Sequence, residues 1–177
     1  MKRFSLRICS LLGLGLLGSC ASPQTEITAP GGGHTIRFEL HEGRPTYCVL
    51  RDGDSLIGRS ALGFELSDGM LTDNFRVTKI KHRSYDDQWV QLWGEDSLVR
   101  NRCNEMTVAL EQQSENPRRL EIVFRAYDDG VALRYRFPEQ KHLDSLVIMD
   151  ELTEFALPAG SRGWSIPWDT GAYEGIY

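Results

Sequence analysis

The chain has 177 residues, with 25 acidic against 20 basic side chains and a formal net charge of −5. This acidic balance excludes the large basic patch that nucleic-acid binding requires. The sequence also lacks the CxxC, HExxH, GxSxG and P-loop patterns that identify common redox, metalloprotease, hydrolase and nucleotide-binding sites.

The first 20 residues are typical of a bacterial lipoprotein signal. Three basic side chains precede an apolar run over residues 8–17, which is too short to cross a membrane as a helix. The run ends on LGSC at residues 17–20, which is similar to a lipobox, in which Cys20 is lipidated and becomes the new N-terminus. An ordinary signal peptide cut near Ala21 is the alternative. We expect an exported protein that the lipid anchors to the outer membrane or its periplasmic face.

Residues 21–33 are predicted to form a flexible tether, because they contain Pro23, Pro30 and three consecutive glycines. Removal of residues 1–19 takes away three positive charges and no negative one, so the mature chain has a net charge of −8. The lipid, and not a polybasic surface, is therefore the expected contact with the membrane.

Residues 34–177 are predicted to form one antiparallel β-domain. Short runs alternate between apolar and polar residues, and turn residues recur every 8–12 positions. No run has a helical period. Besides the hairpin described next, the predicted strands cover residues 35–41, 45–51, 55–57, 62–66, 89–93, 106–110, 145–149 and 152–157, together with a long strand that begins at residue 75 and frays into the polar stretch 82–88. About eleven strands of this kind indicate an all-β sandwich.

The clearest element is a hairpin from Arg119 to Glu139. Every second residue of RLEIVFRAY and of VALRYRF is apolar, which is typical of strands covered on one face. An Asp129-Gly130 step separates the two runs and predicts a type I′ turn, in which both central residues have positive φ. Pro138 ends the second strand because it cannot donate to a ladder. Such a hairpin requires further strands to cover its apolar face.

Two cysteines, Cys48 and Cys103, lie inside predicted strands. In an exported protein they could form a disulfide, or they could be two small buried hydrophobic residues. We favour the second interpretation, because nothing in the sequence places them near each other.

Aromatic, acidic and amide side chains concentrate in WGEDSLVRNRCNE (93–105) and in the terminal WSIPWDTGAYEGIY (164–177). Tryptophan beside carboxylates and amides suits a sugar, which stacks on the ring while its hydroxyls form hydrogen bonds with the polar side chains. The alternative is that these aromatic residues fill the core or a domain interface, and that the carboxylates are solvated. The candidate sugar-pocket residues are Trp93, Glu95, Asn104, Glu105, Trp168 and Asp169. Glu95, Glu105, Asp169 and Glu174 could also supply an acid/base pair.

Five motifs, in this order, resemble the N-terminal domain of glycoside hydrolase family 97, a family of α-glucosidases and α-galactosidases. The motifs are LGFELSDG (62–69), WGEDSLVRNRCNE (93–105), FRAYDDGVALRYRFPEQ (124–140), DELTEF (150–155) and WSIPWDTGAYEGIY (164–177). The resemblance implies an antiparallel β-super-sandwich of galactose-mutarotase type, packed against a catalytic (β/α)₈ barrel. The sequence shows no barrel-like alternation of strands and long helices. From the extent of the resemblance we also expect the sandwich to be incomplete.

In this family the catalytic carboxylates lie on the barrel, so the resemblance implies that this chain has no catalytic residue of its own. It also implies a calcium ion bound by barrel glutamates and by one glutamate of the N-terminal domain, which matches Glu174 here. The expected function is a non-catalytic domain that packs on the barrel and contributes to a pocket for an α-linked glucoside or galactoside. The alternatives are a stand-alone sugar-binding lipoprotein module, a fragment of an intact α-glycosidase, and a lipoprotein with a purely structural role.

Overall fold

The computed structural model describes residues 25–141, 143 and 145–165, and this part of the chain is all β. No helix long and apolar enough to cross a membrane occurs among these residues. The eleven strands are β1 (Glu26–Thr28), β2 (His34–His41), β3 (Arg44–Arg51), β4 (Asp54–Ala61), β5 (Phe64–Leu66), β6 (Gly69–Leu71), β7 (Phe75–Val90), β8 (Leu98–Gln112), β9 (Arg119–Tyr127), β10 (Val131–Arg136) and β11 (Ile148–Glu151).

The strands form three antiparallel sheets. Sheet A has the order β1-β2-β3-β4, sheet C the order β10-β9-β8-β7, and a small sheet B the order β11-β5-β6. Within each sheet, strands that are consecutive in the chain pair with each other in antiparallel orientation. The connections are therefore short hairpins, and sheets A and C pack face to face. The predicted all-β sandwich is confirmed.

The core lies between sheets A and C and follows the period-two pattern of the sequence. Alternate residues of β9 point inward and are fully buried, and they meet the inward residues of β2 and β3. Phe124 packs against Phe38 and Tyr47 with ring centroids 6.1 and 6.2 Å apart. The core residues are Ile27, Ala29, Ile36, Phe38, Tyr47, Val49, Leu62, Phe64, Leu66, Leu71, Phe75, Met106, Val108, Leu110, Leu120, Ile122, Phe124 and Ala126.

The central hairpin is confirmed, but its turn differs from the prediction. The β9–β10 register places Val131 opposite Ala126, yet neither Asp129 nor Gly130 has a positive φ, so the turn is not type I′. The Tyr127 amide donates a hydrogen bond to the Gly130 carbonyl at 2.8 Å and closes the turn, and side-chain contacts add to it. The Asp128 carboxylate accepts a hydrogen bond from the Gly31 amide at 2.5 Å, in addition to an ion pair with an arginine of β8.

Two-residue turns with positive φ occur at the β2–β3 and β3–β4 hairpins of sheet A. Glu42 and Gly43 have φ values of 50° and 77°, and Asp52 and Gly53 have values of 52° and 91°. These are the values of a type I′ turn, whose twist matches that of the flanking strands. The Glu42-Gly43 and Asp52-Gly53 pairs therefore set the register of sheet A.

The prediction of a flexible tether over residues 21–33 is wrong for its second half. Residues 26–28 form β1, which pairs with β2, and the Ile27 side chain is only 5% exposed. The Asn104 side chain donates a hydrogen bond to the Thr28 carbonyl at 2.7 Å. Burial of the apolar Ile27 side chain at the edge of sheet A therefore outweighs the tendency of the neighbouring prolines and glycines to form a flexible segment.

The long strand predicted from residue 75 is confirmed, but it does not fray over residues 82–88 as predicted. β7 continues through this polar stretch, because each residue from Ile80 to Val90 pairs with a residue of β8. β8 is correspondingly longer than the predicted 106–110 and begins at Leu98. Backbone hydrogen bonds hold an antiparallel ladder even where the side chains on both faces are solvated.

The predicted last strands lie elsewhere. The strand predicted at 145–149 is found at 148–151, and residues 152–157 form no strand. Their backbone nevertheless follows β4 and β5, because the Leu152 amide donates to the Gly63 carbonyl at 2.9 Å and the Glu154 amide to the Ala61 carbonyl at 3.0 Å. Cys48 and Cys103 are both free thiols, and they lie in different sheets.

Candidate functional site

The β7–β8 hairpin extends beyond the sandwich as an arm, and two of the candidate residues lie at its end. Trp93 and Glu95 belong to the loop 91–97 that joins the strands, and both are exposed. The Leu92 and Trp93 side chains are 88% and 86% exposed. We call the exposed apolar residues of this hairpin end the arm tip; they are Trp89, Val90, Leu92, Trp93 and Leu98.

Asn104 and Glu105 lie much deeper on the same arm. Seven residues separate Leu98 from Glu105 along β8, which corresponds to roughly 23 Å at the rise of an extended strand. Successive residues of a strand point to opposite faces, so Asn104 and Glu105 also diverge from each other. The structure therefore does not bring Trp93 and Glu95 together with Asn104 and Glu105 in one pocket.

Asn104 faces sheet A and fixes β1 in place. Its amide group donates to the Thr28 carbonyl at 2.7 Å, and its side-chain oxygen accepts a hydrogen bond from the Ser84 hydroxyl at 2.7 Å. A cleft of about 470 Å³ runs beside it, between β1 and the inner face of β7. Because both polar atoms of Asn104 already have protein partners, its role in the described structure is to hold the strands together.

Glu105 faces the opposite side of sheet C and belongs to a nearly buried ion pair. Its carboxylate accepts a hydrogen bond from Arg125 Nε at 2.8 Å and one from the Tyr85 hydroxyl at 3.4 Å. The Arg125 guanidinium lies 4.9 Å from the centre of the Tyr85 ring. Hydrogen bonds to the Tyr127 hydroxyl and to Glu105 raise the pKa of Arg125 above its ordinary value. The Tyr127 hydroxyl in turn donates to Asn101 at 3.3 Å.

This polar cluster is closed rather than reactive. Glu105 is only 7% exposed, and a permanently charged guanidinium occupies its carboxylate. Glycoside hydrolysis requires two carboxyl groups about 5–10 Å apart across an open cleft. The distance along β8 places Glu95 well beyond that range from Glu105. These two acids are therefore not arranged as an acid/base pair.

The remaining candidates, Trp168, Asp169, Glu174 and Cys20, lie outside the described residues. Among the described residues, no group of three or more His, Cys, Asp or Glu side chains could hold a metal ion.

Sequence reasoning did not identify Tyr85, Arg125 and Tyr127 as the partners of Glu105. Cys103 faces Tyr127, and Glu105 faces Arg125, only because of the β8–β9 register. The period-two pattern places the odd-numbered residues of each strand on one face, but it cannot say which residues of two strands are opposite each other.

A second group of exposed apolar side chains lies just before, within and after β11. Six of its large side chains are exposed in the part of the chain that is described: Val147, Ile148, Met149, Phe155, Leu157 and Trp164. Large apolar side chains that are exposed in such numbers can mark a contact with another domain or protein.

Comparison with known proteins gives consistent matches. The family model described as "Glycosyl-hydrolase 97 N-terminal" matches residues 27–177. A retaining alpha-galactosidase of Bacteroides thetaiotaomicron is 25% identical over 179 residues, which is all of this chain and 25% of that protein. The chain therefore spans about a quarter of the length of this relative.

The matching solved structures are also longer proteins. A glycoside hydrolase family 97 enzyme from Pseudoalteromonas sp. strain K8, solved in complex with acarbose, is 32% identical with a TM-score of 0.72, covering 76% of this chain and 20% of the enzyme. A β-arabinopyranosidase is 28% identical with a TM-score of 0.70, covering 77% of this chain and 22% of that one. This chain resembles one segment of each of these enzymes.

Proposed function

The chain belongs to the glycoside hydrolase 97 N-terminal domain family, and we propose that it acts as the non-catalytic N-terminal domain of a family 97 glycosidase. Its catalytic partner would be a (β/α)₈ barrel, and its substrate an α-linked glucoside or galactoside. The match to only a quarter of the B. thetaiotaomicron α-galactosidase supports this division of labour. So does the arrangement of the acids, since Glu105 is committed to Arg125.

The exposed arm tip is the observation that carries the proposal. Leu92 and Trp93 are almost completely exposed at the end of a two-stranded arm, although burial of such side chains is worth about 1.5–3 kcal/mol each. A lone exposed leucine is unremarkable, but five large apolar side chains on one hairpin end form a surface that favours a protein partner. We place the barrel at the arm tip.

A contribution to the sugar pocket and to calcium forms part of the same proposal. Trp93 and Glu95 would close one side of a pocket whose other walls belong to the barrel. Glu174 would supply one carboxylate to a calcium ion, which takes six to eight oxygen ligands and therefore needs the barrel glutamates as well. Lipidation of Cys20 would hold the whole assembly at the outer membrane or its periplasmic face.

The test is to express the barrel of a family 97 relative as a separate chain and to add this protein in trans. We expect a complex on gel filtration and increased turnover of an aryl α-glucoside or α-galactoside. The variant Leu92→Glu/Trp93→Glu should lose both effects. Gln113→Glu/Ser114→Glu, which adds the same charges to the exposed loop at the opposite end of β8, should lose neither. The relative's own N-terminal domain serves as the positive control.

If that control restores its barrel and this chain does not bind, the proposed partner is wrong. An arm-tip variant that binds as well as the unchanged protein would contradict the placement at the arm tip.

A stand-alone sugar-binding module is the second candidate, because Trp93 is exposed beside Glu95 on the same loop. It predicts binding of α-glucosides without any barrel, and loss of that binding in Trp93→Ala. Calorimetric titration of this chain with maltose or melibiose distinguishes the two functions, since the domain proposal expects no heat of binding without the barrel.

A further inference from the structure

The loop at the arm tip contains one residue in a backbone conformation that favours glycine. Gly94 has φ of 111°, and no other residue of the β7–β8 hairpin, which the structure describes throughout, has a positive φ. Residues with a side chain rarely adopt positive φ, because the Cβ atom comes too close to the backbone. The conformation of the loop 91–97 therefore depends on a glycine at position 94.

Both ends of this loop are fixed by the strands that it joins. The β7–β8 ladder is regular from residue 79 to residue 90, and Asp86 and Arg100 join the two strands by two hydrogen bonds of 2.9 Å. At the start of the loop, the Gln91 amide donates to the Ser97 carbonyl at 3.0 Å. Because both ends are held, a change of φ at position 94 has to be absorbed by the few residues between them.

The residues that such a change would move are Trp93 and Glu95, which are the direct neighbours of Gly94. The backbone angles of Gly94 set the direction of one relative to the other. A Cβ added at Gly94 would also lie 2.7 Å from Nε2 of Gln91. That atom is the end of a flexible side chain, which can rotate away. The φ of Gly94 is therefore the stronger constraint, since it cannot change without moving the loop.

We propose that Gly94 is a positioning residue, which presets the loop 91–97 so that Trp93 and Glu95 meet the catalytic barrel without rearrangement. The inference rests on the proposed contact between the arm tip and the barrel. A loop that already has its bound conformation loses little conformational entropy on association, which raises affinity without any further contact. The arm tip is then recognised by its shape as well as by its apolar side chains.

Substitution of Gly94 separates shape from apolar surface. Gly94→Ala keeps all five apolar side chains of the arm tip, so a partner that needs only apolar surface would bind it unchanged. We expect the dissociation constant for the barrel of a family 97 relative to rise about tenfold or more, because the loop has to be reordered on binding.

The matched control is Gly32→Ala. Gly32 has φ of 83° and nothing within 4 Å of an added Cβ, and it lies outside the arm. Its substitution imposes the same kind of backbone strain on the sandwich. It should lower the melting temperature and leave the dissociation constant for the barrel unchanged. A Gly94→Ala protein that binds as tightly as the unchanged protein, or a Gly32→Ala protein that loses binding equally, would overturn the inference.

Two further variants test whether the backbone conformation is the cause. Gln91→Ala removes the side chain that the added Cβ would approach, so Gly94→Ala/Gln91→Ala should bind as weakly as Gly94→Ala. Gly94→D-Ala should bind like the unchanged protein, because a D-residue favours positive φ. It can be introduced in a synthetic segment 48–102 by ligation at Cys48 and Cys103. Restored binding in the first variant, or weak binding of the second, would contradict the role of φ.

Hydrogen exchange tests the preset loop without any barrel. The Gln91 amide should exchange at least about tenfold more slowly than in an unstructured chain, because it donates to the Ser97 carbonyl. Gly94→Ala should abolish this protection. The Tyr127 amide, which donates to the Gly130 carbonyl in the other hairpin of sheet C, should be protected in both proteins. An unprotected Gln91 amide in the unchanged protein would overturn the inference even if the barrel binds. A protected Gln91 amide in a chain that forms no complex would instead locate the failure in the proposed partner.

Discussion

Two antiparallel hairpins of sheet C behave very differently. In β9–β10 the alternate residues of β9, such as Phe124, are fully buried between the sheets. In the outer half of the β7–β8 arm the ladder is equally regular, yet Val90 is 71% exposed. Backbone pairing alone is therefore enough to build a strand pair here, while burial decides which pair stabilises the domain. The arm beyond the sandwich presents a surface and contributes little to the core.

The largest expected effect is in the buried hairpin. Phe124→Ala should lower the free energy of unfolding by about 3–5 kcal/mol, because it leaves a cavity against Phe38 and Tyr47. Val90→Ala on the arm should change it by no more than about 0.5 kcal/mol. Urea denaturation of the two variants makes the comparison. Similar losses in both would mean that the arm is part of the cooperative core.

The ion pair at the root of the arm should have an intermediate effect. Glu105→Gln keeps the shape but removes the charge that faces Arg125, at a cost of about 1–2 kcal/mol. The expected loss of stability is limited because the Arg125 side chain is partly exposed and solvent screens its charge. A double-mutant cycle with Arg125→Met isolates the pair. A coupling energy near zero would show that Glu105 is stabilised by Tyr85 or by burial alone.

Two turns within the sandwich are expected to differ by a smaller amount in their sensitivity to a glycine substitution. Gly43 has φ of 77°, and an added Cβ would lie 3.2 Å from the Asn74 amide nitrogen, so Gly43→Ala should cost about 1–2 kcal/mol. Gly53 has φ of 91° but open space around it, so Gly53→Ala should cost about 1 kcal/mol. The two variants should therefore have different midpoints when their urea denaturation is measured under the same conditions. A larger loss for Gly53→Ala would contradict the close approach at Asn74.

The last effect is absent at neutral pH and appears as a loss of stability at high pH. Burial raises the pKa of Tyr135 to about 12, although a hydrogen bond with Thr153 at 2.7 Å acts in the opposite direction. Because the folded pKa exceeds the unfolded value of about 10, Tyr135 contributes stability below pH 10 that is lost between pH 10 and 12. Tyr135→Phe should flatten the fall in melting temperature over this range. An unchanged slope would show that other groups cause the fall.

The sandwich could be predicted from the sequence, and the arm only in part. Strands such as β9 show a period-two apolar pattern because one face is buried. β7 shows no such pattern at residues 82–88, since neither face is covered, and its strand depends on pairing with β8. β1 was missed because three residues carry too little pattern to outweigh neighbouring Pro30 and the glycines.

The positions of the candidate site residues could also be predicted only in part from the sequence. Trp93, Glu95, Asn104 and Glu105 are close in sequence, but an extended strand separates neighbours by over 3 Å each and alternates their faces. Sequence proximity therefore brought together residues that the fold separates. Arg125, the true partner of Glu105, is twenty residues away and is found only through the register of β8 and β9.

Photo-crosslinking from the arm tip tests most directly whether this surface is the contact with a catalytic barrel. Benzoylphenylalanine at position 92 would be compared with the same group at position 115, in the exposed loop at the opposite end of β8. Each protein would be mixed with the barrel chain of a family 97 relative. Our account predicts a crosslinked heterodimer from position 92 and none from position 115. Crosslinking from position 115 alone would contradict it. So would the absence of crosslinking from both positions, if the relative's own N-terminal domain crosslinks at its matching residue.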